Sequence, residues 1–211
     1  MTHRTKLLLT TLTTTAILAI AVSSATASHL SVSNQNFRST WTSLRFNAGG
    51  NIILCPVTLE TSFHSATFSK TSGLLIGYVT RASIIGSSPS CVGGTATVRG
   101  ETLPWHIRYR SFTGTLPNIS GAVVGLIGAS FRVQPAGSLA CNATTTATHP
   151  AVGTININTT THVAESATPD PNARIPLEEG FCVFAGEGSF EESSQTLTVL
   201  GSTTRITVTL I

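Results

Sequence analysis

The chain has 211 residues, only 10% of them charged, and a formal net charge of +3 at pH 7. Average soluble proteins carry about 25% charged residues, and strong helix formers are sparse in this chain, so an all-α fold is excluded. Residues 28–211 contain ten Lys and Arg against nine Asp and Glu. A nucleic-acid-binding protein would have an excess of basic residues, so we expect no nucleic-acid partner. Threonine, serine and glycine replace the charged residues, as is typical of a β-rich exported protein.

Residues 1–27 have the pattern of a secretory signal peptide. Arg4 and Lys6 form a charged start, and residues 7–22 form an apolar core that precedes a small-residue cleavage site. This core is short for a membrane helix, which needs about 20 apolar residues, and no second segment of that length follows. We therefore expect a secreted or cell-surface protein with one mature domain, residues 28–211, and no integral membrane segment.

Four cysteines remain after the predicted cleavage: Cys55, Cys91, Cys141 and Cys182. An even number of cysteines in an exported chain indicates disulfides, here two. Three pairings are possible, and we favour Cys55–Cys91 with Cys141–Cys182 because each closes a loop within one half of the chain. The cysteines form no CxxC motif and have no histidine pair at zinc-ligand spacing, so we predict no metal site and no cofactor.

The first part of the mature chain contains one ambiguous segment and one clear one. Phe37, Trp41 and Leu44 lie at helical spacing, but residues 40–46 fit a strand equally well, so both remain open. After Pro56 the sequence alternates as expected of a strand. The residues that share its predicted inner face are Val57, Leu59, Thr61 and Phe63.

The clearest strand signal is the alternation over residues 105–113. One face carries Trp105, Ile107 and Tyr109, and the other carries His106, Arg108 and Arg110. Phe112 breaks the pattern and predicts a bulge or a covering loop. The cationic row would simply keep the sheet soluble; alternatively it binds an anionic ligand. We take His106, Arg108 and Arg110 as the candidate ligand-binding residues, with an anionic polysaccharide or another cell-surface component as partner.

The second half of the chain alternates again over residues 154–163 and ends in a predicted hairpin, residues 196–211. Residues 164–180 show no periodicity and contain three prolines, which predicts a long mobile or functional loop. About nine to eleven strands with turns between them indicate an all-β antiparallel fold. We predict a β-sandwich of the jelly-roll type stabilised by two disulfides, with a closed β-barrel as the alternative. The oligomeric state is left open.

Three runs resemble segments of uncharacterised secreted bacterial β-rich proteins of similar length: CPVTLETSFH, LPWHIRYRSFTGTLPNI and LIGASFRV. The resemblance covers roughly residues 40–211. It implies a bacterial, exported protein, but it brings no known activity, substrate or catalytic residue.

Chemical motifs do not favour an enzyme. The chain has a single aspartate, Asp170, and lacks GxSxG, HExxH and P-loop motifs, so we assign no catalytic residue. Our first hypothesis is a non-enzymatic binding or structural domain. The alternatives are an extracytoplasmic carbohydrate-active hydrolase that uses glutamates and an outer-membrane-type β-barrel. Glu60 with Glu101, or Glu187 with Glu191, could pair in space, but their spacing in the sequence indicates neither pair.

Overall fold

A computed structural model describes residues 29–48, 50–84, 91–178, 186–192, 194 and 196–211. Its regular structure is β-strand, apart from one 3-10 turn at Gly100–Thr102. Within these residues no helix is long and apolar enough to cross a membrane. The predicted signal peptide lies outside the described residues.

The strands, numbered in chain order, are β1 (His29–Val32), β2 (Asn36–Ala48), β3 (Asn51–Phe63), β4 (Thr67–Ser69), β5 (Leu75–Ile84), β6 (Gly94–Val98), β7 (Trp105–Thr115), β8 (Asn118–Ile127), β9 (Ser130–Pro135), β10 (Cys141–Thr144), β11 (Ala151–Ile157), β12 (Ala164–Pro169), β13 (Ile175–Glu178), β14 (Gly186–Glu191), β15 (Thr196–Val199) and β16 (Val208–Leu210). Every pairing between them is antiparallel. The prediction of an all-β antiparallel protein is therefore confirmed.

The strands form one large sheet and one small sheet. The large sheet has the order β12-β11-β8-β7-β5-β3-β2-β14-β13-β10-β9-β6, with β15 also paired to β2, and the small sheet has the order β16-β1-β4. Both ends of the large sheet return to its centre, because β6 lies against β3 and β5 while β12 lies against β15. Register shifts interrupt five of its pairings, and bulges of this kind bend strands and increase their twist. The large sheet is thus curled into a half-barrel.

A bulge in β2 resolves the ambiguous segment in favour of a strand. The pairing of β2 with β3 shifts between Trp41 and Leu44, and both of these side chains are buried. Thr42 and Ser43 lie between them and are exposed. The bulge adds one residue, because three steps from Trp41 to Leu44 oppose two steps on β3. It turns the spacing of two that a strand requires into the helix-like spacing of three seen in the sequence.

The alternating segment at residues 105–113 forms β7, as predicted. Trp105 and Tyr109 are 0% and 1% exposed, whereas Arg108 and Arg110 are exposed. The pairing of β7 with β8 shifts between Tyr109 and Ser111. This is the bulge that the position of Phe112 predicted.

The small sheet covers one end of the curled sheet. Phe68 of β4 packs against Phe63, with ring centroids 5.5 Å apart, and against Tyr109 at 6.4 Å. On the other side, the Ala164 amide donates a hydrogen bond to the Ile206 carbonyl at 2.9 Å. The apolar side chains of the small sheet therefore join the core of the large one.

Of the two predicted disulfides, the structure describes one, Cys55–Cys91, whose Cα atoms are 4.4 Å apart. Beside it, Leu54 and Val92 exchange two backbone hydrogen bonds of 2.9 Å. These links fasten the segment before β6 to β3. The second predicted pair, Cys141–Cys182, includes Cys182, which lies outside the described residues, so one disulfide rather than two is seen.

The prediction of an irregular loop at residues 164–180 is wrong for its described part. This segment contains β12 and β13, joined by a turn in which the Ala173 amide donates to the Asp170 carbonyl. The prolines did not prevent strand formation because Pro169 ends β12 and Pro171 lies in the turn. Pairing with neighbouring strands, which is a long-range contact, determines the conformation.

Replacing Cys55 and Cys91 together by alanine should lower the free energy of unfolding by about 4 kcal/mol. The reason is that the bond closes a loop of 36 residues in the unfolded chain. Urea unfolding with and without dithiothreitol measures this loss. The effect of reductant should be smaller in the double variant than in the natural protein; an equal effect in both would show that this bond does not stabilise the fold.

Candidate functional site

The inner face of the curled sheet surrounds an apolar cavity of about 130 Å³. One wall comes from β2 and β3, where Phe37, Trp41 and Val57 are buried. The opposite wall comes from β8, β11 and β12. The cavity thus lies within the part of the sheet that curls from β2 round to β12.

Aromatic side chains bound the cavity on two sides. Phe37 and Phe63 pack against each other, with centroids 5.0 Å apart and ring planes tilted by 46°, next to the small sheet. Phe131 and Phe190 form a second contact, with centroids 5.5 Å apart. All four rings line the cavity, so a ligand inside it would meet aromatic surfaces on both sides.

Small residues on the wall formed by β8, β11 and β12 create the empty space. Residues directly opposite each other in adjacent strands share a face. The pairings of Leu126 with Ala151, Val124 with Gly153 and Ile155 with Ala167 therefore place two alanines and a glycine on the inner face. These positions face large side chains of β2 and β3 across the curl, and the volume that they leave is not filled.

The cavity opens on the side of β11 and β12. Lining residues of β2 such as Phe37 and Trp41 are buried, whereas Leu126, Gly153 and Pro169 are half-buried. Apolar pockets with a few polar groups are the usual sites for small molecules. The arrangement is suited to a molecule that enters past β11 and β12 and is held against the aromatic rings.

The lining carries no charge. None of its described residues is Asp, Glu, Lys, Arg or His. Two buried hydroxyl groups, those of Ser39 and Thr61, belong to the inner wall. An isolated charge moved into such a lining would lose its hydration without a counter-charge, so the cavity is suited to uncharged molecules.

The predicted site residues His106, Arg108 and Arg110 form an exposed row on the outer surface of β7. The His106 ring contacts Tyr78 at 5.2 Å between centroids, and Tyr78 contacts His64 at 4.7 Å. Arg108 Nη1 donates a hydrogen bond to the Gly73 carbonyl at 2.8 Å. Among the described residues no carboxylate lies within ion-pair distance of either arginine. The structure thus places the three residues together, on an open surface rather than in a pocket.

The glutamates considered for hydrolysis are each adjacent to an arginine. The pairs are Arg38–Glu60 at 2.8 Å, Arg99–Glu101 at 2.7 Å, Arg45–Glu191 at 3.3 Å and Arg174–Glu187 at 4.0 Å. Glu187 and Glu191 are four residues apart on β14, about 13 Å, which exceeds the spacing of a glycosidase pair. A backbone hydrogen bond at Glu101 itself, and then Arg99, lower the pKa of Glu101, whereas a general acid needs a raised pKa.

No protein-family model, curated protein or solved structure matches the chain. The resemblance to secreted bacterial proteins therefore stays a prediction. The geometry of the cavity and of the cationic row is the guide to function.

Because the cavity wall has unfilled space at Ala167, the substitution Ala167→Leu should leave the free energy of unfolding unchanged or raise it by about 0.5–2 kcal/mol. Urea unfolding measures the change. Ala136→Leu, the same substitution in an exposed turn, is the matched control and should have little effect. A loss of more than about 1 kcal/mol at Ala167 alone would indicate overpacking and a wall that is already full.

Proposed function

We propose that this chain is an exported, non-enzymatic binding protein that holds a small, uncharged and largely apolar molecule inside its curled sheet. The observation that carries the proposal is the cavity of about 130 Å³ with aromatic rings on two sides and no charged residue in its described lining. Burial of apolar surface against such a lining is the driving force for binding.

The volume of the cavity suggests the size of the ligand. An apolar cavity of about 150 Å³ in another protein binds benzene. A molecule of about one six-membered ring therefore fits the present cavity. An apolar ligand would add contacts with the lining that the open cavity lacks.

The choice between a sandwich and a barrel is part of this proposal. The strands β2, β3, β5, β7, β8, β11 and β12 follow one another around the cavity. Where β12 approaches the segment before β15, the Ser194 amide donates to the Ala167 carbonyl at 2.8 Å, and the Ala167 amide donates to Ser194 Oγ at 2.7 Å. We favour a barrel-like enclosure for this part, with the small sheet covering one end.

Export from a bacterial cell is also part of the proposal. It is supported by the signal-peptide pattern of residues 1–27 and by the resemblance of three sequence runs to secreted bacterial proteins. The disulfide Cys55–Cys91 is compatible with an oxidising compartment.

Toluene is a suitable first ligand because it is uncharged and of the size of the cavity. We expect saturable binding at one site in a titration followed by NMR, together with an increase in melting temperature. Ala167→Leu should abolish binding by filling the cavity, whereas Ala136→Leu should bind as the natural protein does. Toluene, cyclohexane and indole all failing to bind the natural protein would overturn the proposal.

A second candidate function is binding of an anionic polysaccharide by the row His106, Arg108 and Arg110. The observation that favours it is that Arg108 and Arg110 lie with His106 on one exposed face of β7, and that neither arginine has a carboxylate partner among the described residues. Exposed cations of this kind remain available for a polyanion, and their attraction decreases as salt is added.

The double variant Arg108→Ala with Arg110→Ala should lose retention on an immobilised acidic polysaccharide at low salt. Arg132→Ala with Arg205→Ala removes the same charge from exposed positions elsewhere and is the matched control. Retention that falls equally in both variants would indicate a general charge effect, and retention unchanged in the first would exclude the row as the site.

A further inference from the structure

We propose that Ser39 and Thr61 form a polar anchor within the cavity, which selects uncharged ligands bearing one hydroxyl or carbonyl group over hydrocarbons and over carboxylates. The inference rests on the proposed function and specifies its ligand class. It comes from two hydroxyl groups whose presence in an apolar wall is otherwise unexplained.

Both residues belong to the same patch of the inner wall. Ser39 on β2 pairs with Leu59 on β3, and Thr61 on β3 pairs with Phe37 on β2. Ser39 and Thr61 are therefore diagonal neighbours on one face, about 7 Å apart between Cα atoms. Both line the cavity, so one small polar group could contact either hydroxyl or both.

Neither hydroxyl has a hydrogen-bond partner among the described residues, although each residue is almost entirely buried. Ser39 is 5% exposed and Thr61 is 4% exposed. In the part of the chain that the structure describes, several other buried hydroxyls have partners: Ser189 Oγ donates to Glu191 at 3.1 Å, and Thr145 Oγ1 accepts from the Ala129 amide at 2.8 Å. Thr58, which is buried outside the cavity, has no such bond. No such bond involves the side chain of Ser39 or Thr61. A hydroxyl without a protein partner can bond to a polar group of a ligand, whereas a hydrocarbon leaves it unpaired.

The chemistry of the anchor defines the ligand. A hydroxyl can both donate and accept a hydrogen bond, so it is complementary to an alcohol, a phenol or a carbonyl group. A carboxylate would need a cation, and the described lining has none. With the volume of about 130 Å³, this indicates a monocyclic alcohol, phenol or ketone.

The test compares three probes of the same ring size, benzyl alcohol, toluene and benzoate, on the purified protein at pH 8. We expect benzyl alcohol to bind more tightly than toluene and benzoate, and Ser39→Ala or Thr61→Val to weaken benzyl alcohol about 3- to 10-fold while leaving toluene unchanged or tighter. Thr40→Val is the matched control, because Thr40 is adjacent to Ser39 but does not line the cavity. Urea unfolding of each variant verifies that it is folded.

The outcomes separate the anchor from the cavity. If toluene binds but the two variants weaken benzyl alcohol and toluene equally, or weaken neither, the anchor is wrong and the apolar cavity stands. Tight binding of benzoate would also overturn the anchor. If no probe binds the natural protein, while the variants are folded, the proposed function fails and the anchor fails with it.

Discussion

The strands β2 and β3, of thirteen residues each, pair along nearly their whole length and provide the frame to which the other strands of the large sheet attach. The edge of β2 that faces away from β3 pairs with β15 along its first half and with β14 along its second half. The edge of β3 that faces away from β2 pairs with β5 and, through Leu54 and Val92, with the segment before β6. The large sheet therefore extends and curls away from both edges of this one hairpin. The bulge at Thr42 and Ser43 keeps the apolar side chains of β2 on the inner face in both halves of the strand.

Local patterns were informative where a strand has one buried face. The alternation of Trp105, Ile107 and Tyr109 with His106, Arg108 and Arg110 predicted both the strand and the orientation of its side chains, because the spacing of two residues is an intrinsic property of an extended chain. The inner row of β3 was predicted for the same reason. The spacing of Phe37, Trp41 and Leu44 was ambiguous because a bulge cannot be recognised without the partner strand.

The cavity could not be predicted, because its volume depends on which residues face each other across the curl. Ala151, Gly153 and Ala167 have little strand propensity in the sequence, and residues 164–180 read as a loop. Their role becomes apparent only when β11 and β12 pair, opposite the aromatic residues of β2 and β3. Thr61 is a polar residue in an otherwise apolar inner row, but the sequence alone does not show that its hydroxyl has no hydrogen-bond partner among the described residues.

The position of the disulfide helps to explain how the fold can contain an unfilled volume. The cavity opens on the β11 and β12 side, where its wall is incompletely packed. The bond Cys55–Cys91 lies on the β6 side and contributes about 4 kcal/mol through the loop that it closes. Since both sides are attached to the same β2–β3 hairpin, stabilisation of one offsets the incomplete packing of the other. The wall near the mouth can therefore keep small residues without loss of the fold.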